Sequence, residues 1–298
     1  MQSVQRLALH SRQGNIGLVA GVALTSIATY GVYSYSTKNF SKTEAPKTFG
    51  TGPSFVSLRL NSIELLNHDT KKFRFDLPTT NSVSGLTLTS AVLTFSRPLG
   101  RVFPVIRPYT PTSDLNEPGY LDLVVKQYPN GKASSHIHSL QPGDSLFFLA
   151  AIKAYPWKLN ECSHITLLAG GAGITPMYQL IQGILNNPEE KTKITLVFGI
   201  NTDADALFRD RFQQYEQEFP DRFKVFYTVT NPGPSSPYRK GRITEPLLRQ
   251  IIGEHQEKTN KVFVCGPPAM EQSLLGSDRT SGGILGELGF TKDQIFKF

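Results

Sequence analysis

At 298 residues, 39% of them hydrophobic, the chain is too long for one ordinary core and apolar enough for two, which excludes a disordered protein. Its two cysteines, Cys162 and Cys265, exclude a disulfide framework, and no Cys/His cluster has zinc-ligand spacing. The formal charge is +7, but residues 1–50 carry Arg6, Arg12, Lys38, Lys42 and Lys47 against Glu44 alone, which leaves only +3 on the other 248 residues. So mild an excess does not make a polyanion binder, and no nucleic-acid partner is expected.

The N-terminus reads as a separate object. From Ile16 to Tyr35, "IGLVAGVALTSIATYGVYSY" holds twenty residues without a charge, about 30 Å as a helix and enough to cross a bilayer's hydrocarbon. Tyr30, Tyr33 and Tyr35 gather at one end, as in an interfacial belt. No small-residue cleavage site follows, so a membrane anchor is favoured over a signal peptide. Arg6, His10 and Arg12 precede it with no acid among them, a pattern compatible with mitochondrial targeting. Residues 1–37 are assigned to targeting and anchor, and the polar, Pro/Gly-punctuated stretch 38–53 to a linker.

From 54 to 156 the strand signals are short and turn-bounded ("FVSLRL", "KFRFDL", "YLDLVV", "DSLFFLA"), which predicts an antiparallel barrel or sandwich. From 157 to 298 apolar runs ("HITLLAG", "ITLVFGI", "FKVFYTV", "KVFVCGP") are separated by helical patterns, one of them carrying Phe208, Phe212, Tyr215 and Phe219 on a single face. Alternation of this kind predicts a parallel sheet covered on both faces, with ligands at the carboxyl ends of its strands. "LLAGGAGITPM" places Gly170, Gly171 and Gly173 after the first such strand, before a helix expected to start near Pro176. A helix N-terminus there favours a phosphate. "CGPPAM" (Cys265–Met270) would form a second turn on the same edge of the sheet.

In the barrel half, "RPYTPTS" gathers Arg107, Pro108, Tyr109 and Thr110. Arginine suits a pyrophosphate bidentately, tyrosine offers a stacking plane, and a threonine hydroxyl can bond a ring nitrogen, although the same letters fit an ordinary turn. "NGKASS" then supplies Gly-Lys and hydroxyls before "HIHSL", like a helix start ready for an anion, with His136 and His138 in surface or capping roles.

In the order R-P-Y-T, G-K-x-S, G-x-G-I-T-P, C-G-P-P and a terminal Phe, residues 54–298 resemble the NADH–cytochrome b5 reductases of the ferredoxin-reductase superfamily, in particular the membrane-anchored mitochondrial form of fungi. The resemblance implies an FAD-binding barrel, an NADH-binding α/β domain, cytochrome b5 as the haem partner, and single-pass residence in the mitochondrial outer membrane, with the intermembrane space as a further location and the endoplasmic reticulum membrane as the alternative. It implies that Arg107 holds the FAD pyrophosphate, Tyr109 packs by flavin and ribitol, and Thr110 bonds near flavin N5. Lys132, Ala133 and Ser134 would offer donors to that pyrophosphate, while Val124 and Lys126 flank the flavin and the nicotinamide nucleotide. Thr175 would meet the flavin from the other domain. Gly170, Gly171 and Gly173 would admit the NADH pyrophosphate, Cys265, Gly266 and Pro267 would lie near the nicotinamide, and Phe298 would end at the flavin's edge. Thr110, Lys126 and Cys265 are the residues it places nearest the chemistry, which needs alignment and no general acid or base.

The chain departs from the family at Ala133, Ala150, Ala151 and Ala172, all small changes in volume, and at Thr230, where the family commonly carries an Asp for the ribose 2′-hydroxyl of NADH. Thr tolerates a 2′-phosphate, and Arg239, Lys240 and Arg242 follow in "YRKGR", so NADPH is added to NADH as a candidate donor. Two other readings compete: a related flavin reductase with a quinone or another haem domain as acceptor, and a membrane-tethered module without flavin.

Overall fold

Strand β1 (Pro53–Leu65) is long enough to pair along one stretch with β6 (Ser145–Lys153) and along another with β2 (Thr70–Asp76), with a register shift in each ladder where it bends. With β3 (Ser90–Ser96), β4 (Val105–Tyr109) and β5 (Tyr120–Lys126) it forms an antiparallel sheet of order β4-β3-β6-β1-β2-β5. The chain just beyond β4 returns to β5 through a Pro111–Leu123 bridge and the Thr112 N–H, which donates to Asp122 O at 2.9 Å. That contact closes the ring into a barrel, filled by Leu58, Leu60, Phe73, Phe75, Val92 and Phe148. The computed structural model describes residues 44–298 apart from 51, 99–102, 254–258 and 277–281. The anchor read at 16–35 and the targeting segment before it lie outside the described residues, among which no helix is long and apolar enough to cross a membrane.

The stretch read as linker is barrel from Pro46 onward. Thr48 and Phe49 N–H donate to Val83 O and Ser84 O, both at 2.9 Å, and Phe49 is fully buried edge-on to Phe148. A single aromatic among Pro, Lys and Gly has no periodicity to betray it, and its partners lie more than thirty residues away. Strands β3 and β4 also gave no separate signal, although β3 alternates buried and half-buried residues throughout.

The second lobe is a six-stranded parallel sheet of β7 (His164–Gly170), β8 (Lys193–Ile200), β9 (Phe223–Val229), β10 (Arg239–Lys240), β11 (Lys261–Cys265) and β12 (Ile295–Lys297). Its order is β10-β9-β8-β7-β11-β12. The chain leaves β7 in one direction, through β8 to β10, and returns to add β11 and β12 on the other side. The switch therefore falls between β7 and β11, and β7 is buried along nearly its whole length, as a central parallel strand requires.

Helix α1 (Lys132–Ser139) packs on the barrel, and α2 (Ile174–Leu185) fills the seam between the lobes. Helix α2 starts at Ile174, two residues before the expected Pro176, directly from a 3-10 turn at Gly171–Gly173. Its Gln179 is buried and donates from Nε2 to Ser90 O at 3.1 Å and Pro111 O at 3.2 Å, carrying the α/β lobe onto the barrel. Helix α3 (Arg209–Glu218) buries Phe212 and Tyr215, with Phe208 and Phe219 as its flanking caps. Helices α4 (Glu245–Ile252), α5 (Pro268–Leu275) and α6 (Ile284–Glu287) complete the lobe.

Candidate functional site

A cleft of about 880 Å³ runs along the seam at the carboxyl edge of the parallel sheet, a size usual for cofactor sites. One wall is barrel: Arg107, Pro108, Tyr109 and Thr110 from β4 and the turn after it, and Val124 and Lys126 from β5. Lys132, Ala133 and Ser134 continue that wall at the start of α1. The other wall is α/β: Gly170, Gly173 and Thr175 after β7, and Cys265, Gly266 and Pro267 after β11, with Phe298 beside them. Of the residues assigned to the cofactors from the sequence, Gly171 and Thr230 do not line it, and neither do the bases Arg239, Lys240 and Arg242.

On the barrel wall, the exposed Arg107 donates from Nη1 to Ile106 O at 2.9 Å and meets no carboxylate among the described residues, so its fork is open to an anion. Helix α1 opens at Gly131 without a side-chain cap, which leaves its first N–H groups pointing out. A Cβ on Gly131 would overlap the Ser134 hydroxyl. Behind this wall His138 is buried, against the expectation of a surface or capping role. Its Nε2 bonds Val125 O at 2.8 Å and its ring meets Phe73 edge-on at 5.4 Å. Burial pulls its pKa down, so a neutral imidazole pins α1 to β5. His136 is half-buried, and burial lowers its pKa as well. Burial pushes the Tyr109 hydroxyl up to about 12, and it stays a neutral phenol.

On the α/β wall, the two glycine turns fit into each other. A Cβ on Gly173 would overlap the Cys265 carbonyl, and one on Gly170 would lie 2.8 Å from Pro267 Cδ. Gly171 differs: its φ is +52° and its Cβ would meet no atom within 4 Å beyond its own stretch of chain. The glycines thus serve two purposes, Gly173 letting the β7 and β11 turns touch and Gly171 making the bend. Thr175 Oγ1 donates to Ala172 O at 3.2 Å across that bend. The Gly266 N–H donates to Glu271 Oε1 at 3.3 Å, Glu271 pairs with Lys297, and the Phe298 N–H donates to Val264 O at 3.1 Å, so the C-terminus braces the second turn. Burial, with the nearby Glu271, pushes the Cys265 thiol up to about 12 despite Lys297, so Cys265 is no thiolate at neutral pH.

Lys126 lines the cleft, and its ammonium is paired: Nζ lies 2.8 Å from Asp69 Oδ2 and 3.0 Å from Asp205 Oδ1. Thr230 stands past the end of β9, its N–H donating to Ile200 O at 3.0 Å. The loop after it is tied to Asp203, which accepts from Gly233 N at 2.7 Å and from the Ser236 hydroxyl. Those hydrogen bonds, Ser236 first, hold the Asp203 carboxyl below its usual range. Strand β10, which the sequence did not announce, places Lys240 beside Val229 and so brings the bases of "YRKGR" to the edge where Thr230 lies. The cleft also takes in Tyr128, Asn130, Gly131, Ile152, Ala154 and Pro268. Tyr128 and Ile152, 48% and 40% exposed, carried a signal only as apolar side chains left outside a core.

Residues 57–155 match the model of an oxidoreductase FAD-binding domain and residues 167–275 that of an oxidoreductase NAD-binding domain, which defines the class: a two-domain flavin and nicotinamide-nucleotide oxidoreductase. The donor set fits that pair of cofactors, with an open arginine fork and an uncapped helix start on one wall and two glycine turns on the other. The chain is 45% identical over 288 residues to "NADH-cytochrome b5 reductase 2" of Emericella nidulans, covering 94% of this chain and 89% of that protein. It is 48% identical over 255 residues to the protein of the same name in Botryotinia fuckeliana, covering 84% and 74%. It belongs to the NADH–cytochrome b5 reductase family. Among solved structures, the cytochrome b5 reductase domain of Ulva prolifera nitrate reductase superposes with a TM-score of 0.75 at 27% identity, covering 85% of this chain and all of that one. A flavohemoglobin from Malassezia yamatoensis, at 16% identity and a TM-score of 0.67, shares the fold over 86% of this chain and 62% of its own.

Proposed function

We propose that this chain takes a hydride from NADH and passes electrons singly to ferric cytochrome b5. One observation carries the reading: the open fork of Arg107 with the uncapped start of α1, and the interlocked Gly170–Gly173 and Cys265–Pro267 turns, face each other across a single cleft. Bound FAD supplies the conversion from a two-electron donor to a one-electron acceptor. Arg107 and the N–H groups of Lys132, Ala133 and Ser134 hold its pyrophosphate, and Tyr109 and Thr110 line the place of its ring system. The β7 and β11 turns, with Thr175, hold the nicotinamide dinucleotide against the opposite wall. Cys265 stays protonated and packs. The protein's contribution is alignment and exclusion of water, as hydride transfer requires.

The test is the visible spectrum of the purified protein, which is that of a flavoprotein. Anaerobic NADH bleaches it and ferric cytochrome b5 restores it. A colourless protein, or a reduced flavin that cytochrome b5 does not re-oxidise, overturns the reading.

The setting of this reaction rests on sequence. The uncharged run 16–35 supports attachment to a membrane, and the acid-free basic residues before it support the mitochondrial outer membrane, with the endoplasmic reticulum as the alternative. Carbonate extraction leaves the full chain in the pellet and releases one lacking residues 1–37. Thr230 with the basic edge of β10 supports NADPH as a second donor.

A further inference from the structure

The seam between the lobes contains a cluster of charged side chains that the reaction as described leaves unused. Asp69 lies in the turn between β1 and β2, and Lys126 ends β5; both belong to the barrel. Asp205 ends the 3-10 turn Asp203–Asp205 after β8, in the other lobe. The three side chains are 23%, 14% and 6% exposed, and the ammonium sits between the two carboxylates at 2.8 and 3.0 Å.

Each carboxylate is fixed from behind as well. Asp205 Oδ2 accepts from Thr202 N at 3.0 Å and Thr202 Oγ1 at 2.8 Å, while Asp69 Oδ1 accepts from Thr70 Oγ1 at 2.8 Å. Asn67 Nδ2 crosses the same seam to Ala204 O at 3.1 Å. Burial works against the Asp205 charge, and the bonds from Lys126 and Thr202 outweigh it, holding the carboxyl below its usual range. His68, Asp69 and Asp205 bring ligand atoms within 4.8 Å of one another. The lysine already supplies the positive charge such a group would seek, so the cluster is an ion-pair bridge between lobes and not a metal site.

We propose that Asp205 and Asp69 are positioning residues that act through Lys126, fixing the barrel wall of the cleft against the α/β wall and thereby setting the rate of hydride transfer. The inference rests on the reductase reading given above. Flavin is held by one lobe and nicotinamide by the other, so the gap the hydride crosses is an interlobe distance. Lys126 lines the cleft itself, whereas Gln179, which joins the lobes at Ser90 O and Pro111 O farther along α2, does not. A misplacement of about 1 Å can cost on the order of 100-fold in rate.

The test uses full-length, flavin-loaded Asp205→Asn, Asp69→Asn and Asp205→Glu proteins. Anaerobic stopped-flow reduction over a series of NADH concentrations separates the limiting rate from apparent affinity, with 4,4-dideuterated NADH reporting whether hydride transfer is the step observed. Hydrogen exchange of segments 66–70 and 201–206 reads the bridge without any turnover. Expected are limiting rates lowered roughly 10- to 100-fold in both Asn variants, apparent affinity and flavin content within threefold of the parent, a retained isotope effect, and faster exchange in both segments. Asp205→Glu, which keeps a carboxylate opposite Lys126, is slowed less than Asp205→Asn. Unchanged limiting rates, or rates that fall only as flavin is lost, overturn the proposal. If the parent is not reduced by NADH, it is the function that fails. Exchange then decides the bridge alone: faster exchange in both segments of Asp205→Asn supports it, and unchanged exchange refutes it.

Discussion

Replacing Gly173 by alanine tests whether the two glycine turns must touch. The added methyl would stand 2.5 Å from the Cys265 carbonyl carbon and 2.9 Å from the Gly266 nitrogen, both backbone atoms at the end of a buried strand. Ordinary contact between such atoms is about 3.5 Å, so one turn must retreat by about 1 Å. Neither is free to do so: β11 is paired with β7 along its whole length and with β12 on its other side. Overpacking of this kind costs about 1–3 kcal/mol, or roughly 2–12 °C in Tm for a domain of this size. Gly171→Ala is the control, since its methyl meets nothing and only the positive φ resists it, at a cost of about 1 kcal/mol. Thermal melting of both variants, with FAD content and NADH–ferricyanide turnover, is the assay. Gly173→Ala is expected to melt lower than Gly171→Ala and to lose roughly 10- to 100-fold in kcat, because the nicotinamide wall has shifted. A Gly173→Ala protein that melts within 1 °C of the parent and turns over normally would show that the turns have slack, and the packing argument fails.

Arg107→Ala is expected to weaken FAD retention by roughly 10- to 150-fold, the loss of about 1.5–3 kcal/mol of charge-assisted hydrogen bonding, read by equilibrium dialysis; unchanged affinity places the pyrophosphate elsewhere. Cys265, its thiol pushed up to about 12 by burial, should react with iodoacetamide at pH 8 much more slowly than a peptide thiol. The unfolded chain loses this proton first, so the thiol's contribution to stability falls as pH rises from its ordinary value toward 12. Melting at pH 7.5 and 10 of parent and Cys265→Ala checks it, the parent losing more on the way up. The unmutated enzyme should accept NADPH within about tenfold of NADH in kcat/KM, and Thr230→Asp should restore NADH preference by like-charge repulsion. A thousandfold rejection of NADPH by the unmutated enzyme means that something other than residue 230 selects the donor, and Asp203 close by is the first acid to examine.

The sequence by itself determined the two-lobe order and most of the cleft. Apolar runs such as "HITLLAG" and "YLDLVV" are strands because their patterns are local, and Arg107–Thr110, Lys132–Ser134, Gly170–Gly173 and Cys265–Pro267 are legible because each motif packs its chemistry into a few consecutive residues. What spans the chain was not legible. Thr48 and Phe49 join the barrel by pairing with Val83 and Ser84, the chain after β4 closes the ring through Pro111 and Leu123, and β10 and β12 are two and three residues long, too short for any period to show. His138 stands in a polar helix start, and only the arrival of Phe73 and the Val125 carbonyl makes it a core residue. Lys126 reads as a cleft residue from its strand alone. Its partners, Asp69 and Asp205, are 57 and 79 positions away in opposite lobes, and nothing in a one-dimensional pattern encodes which charges will share a buried seam, because that is fixed only when the two cores have packed.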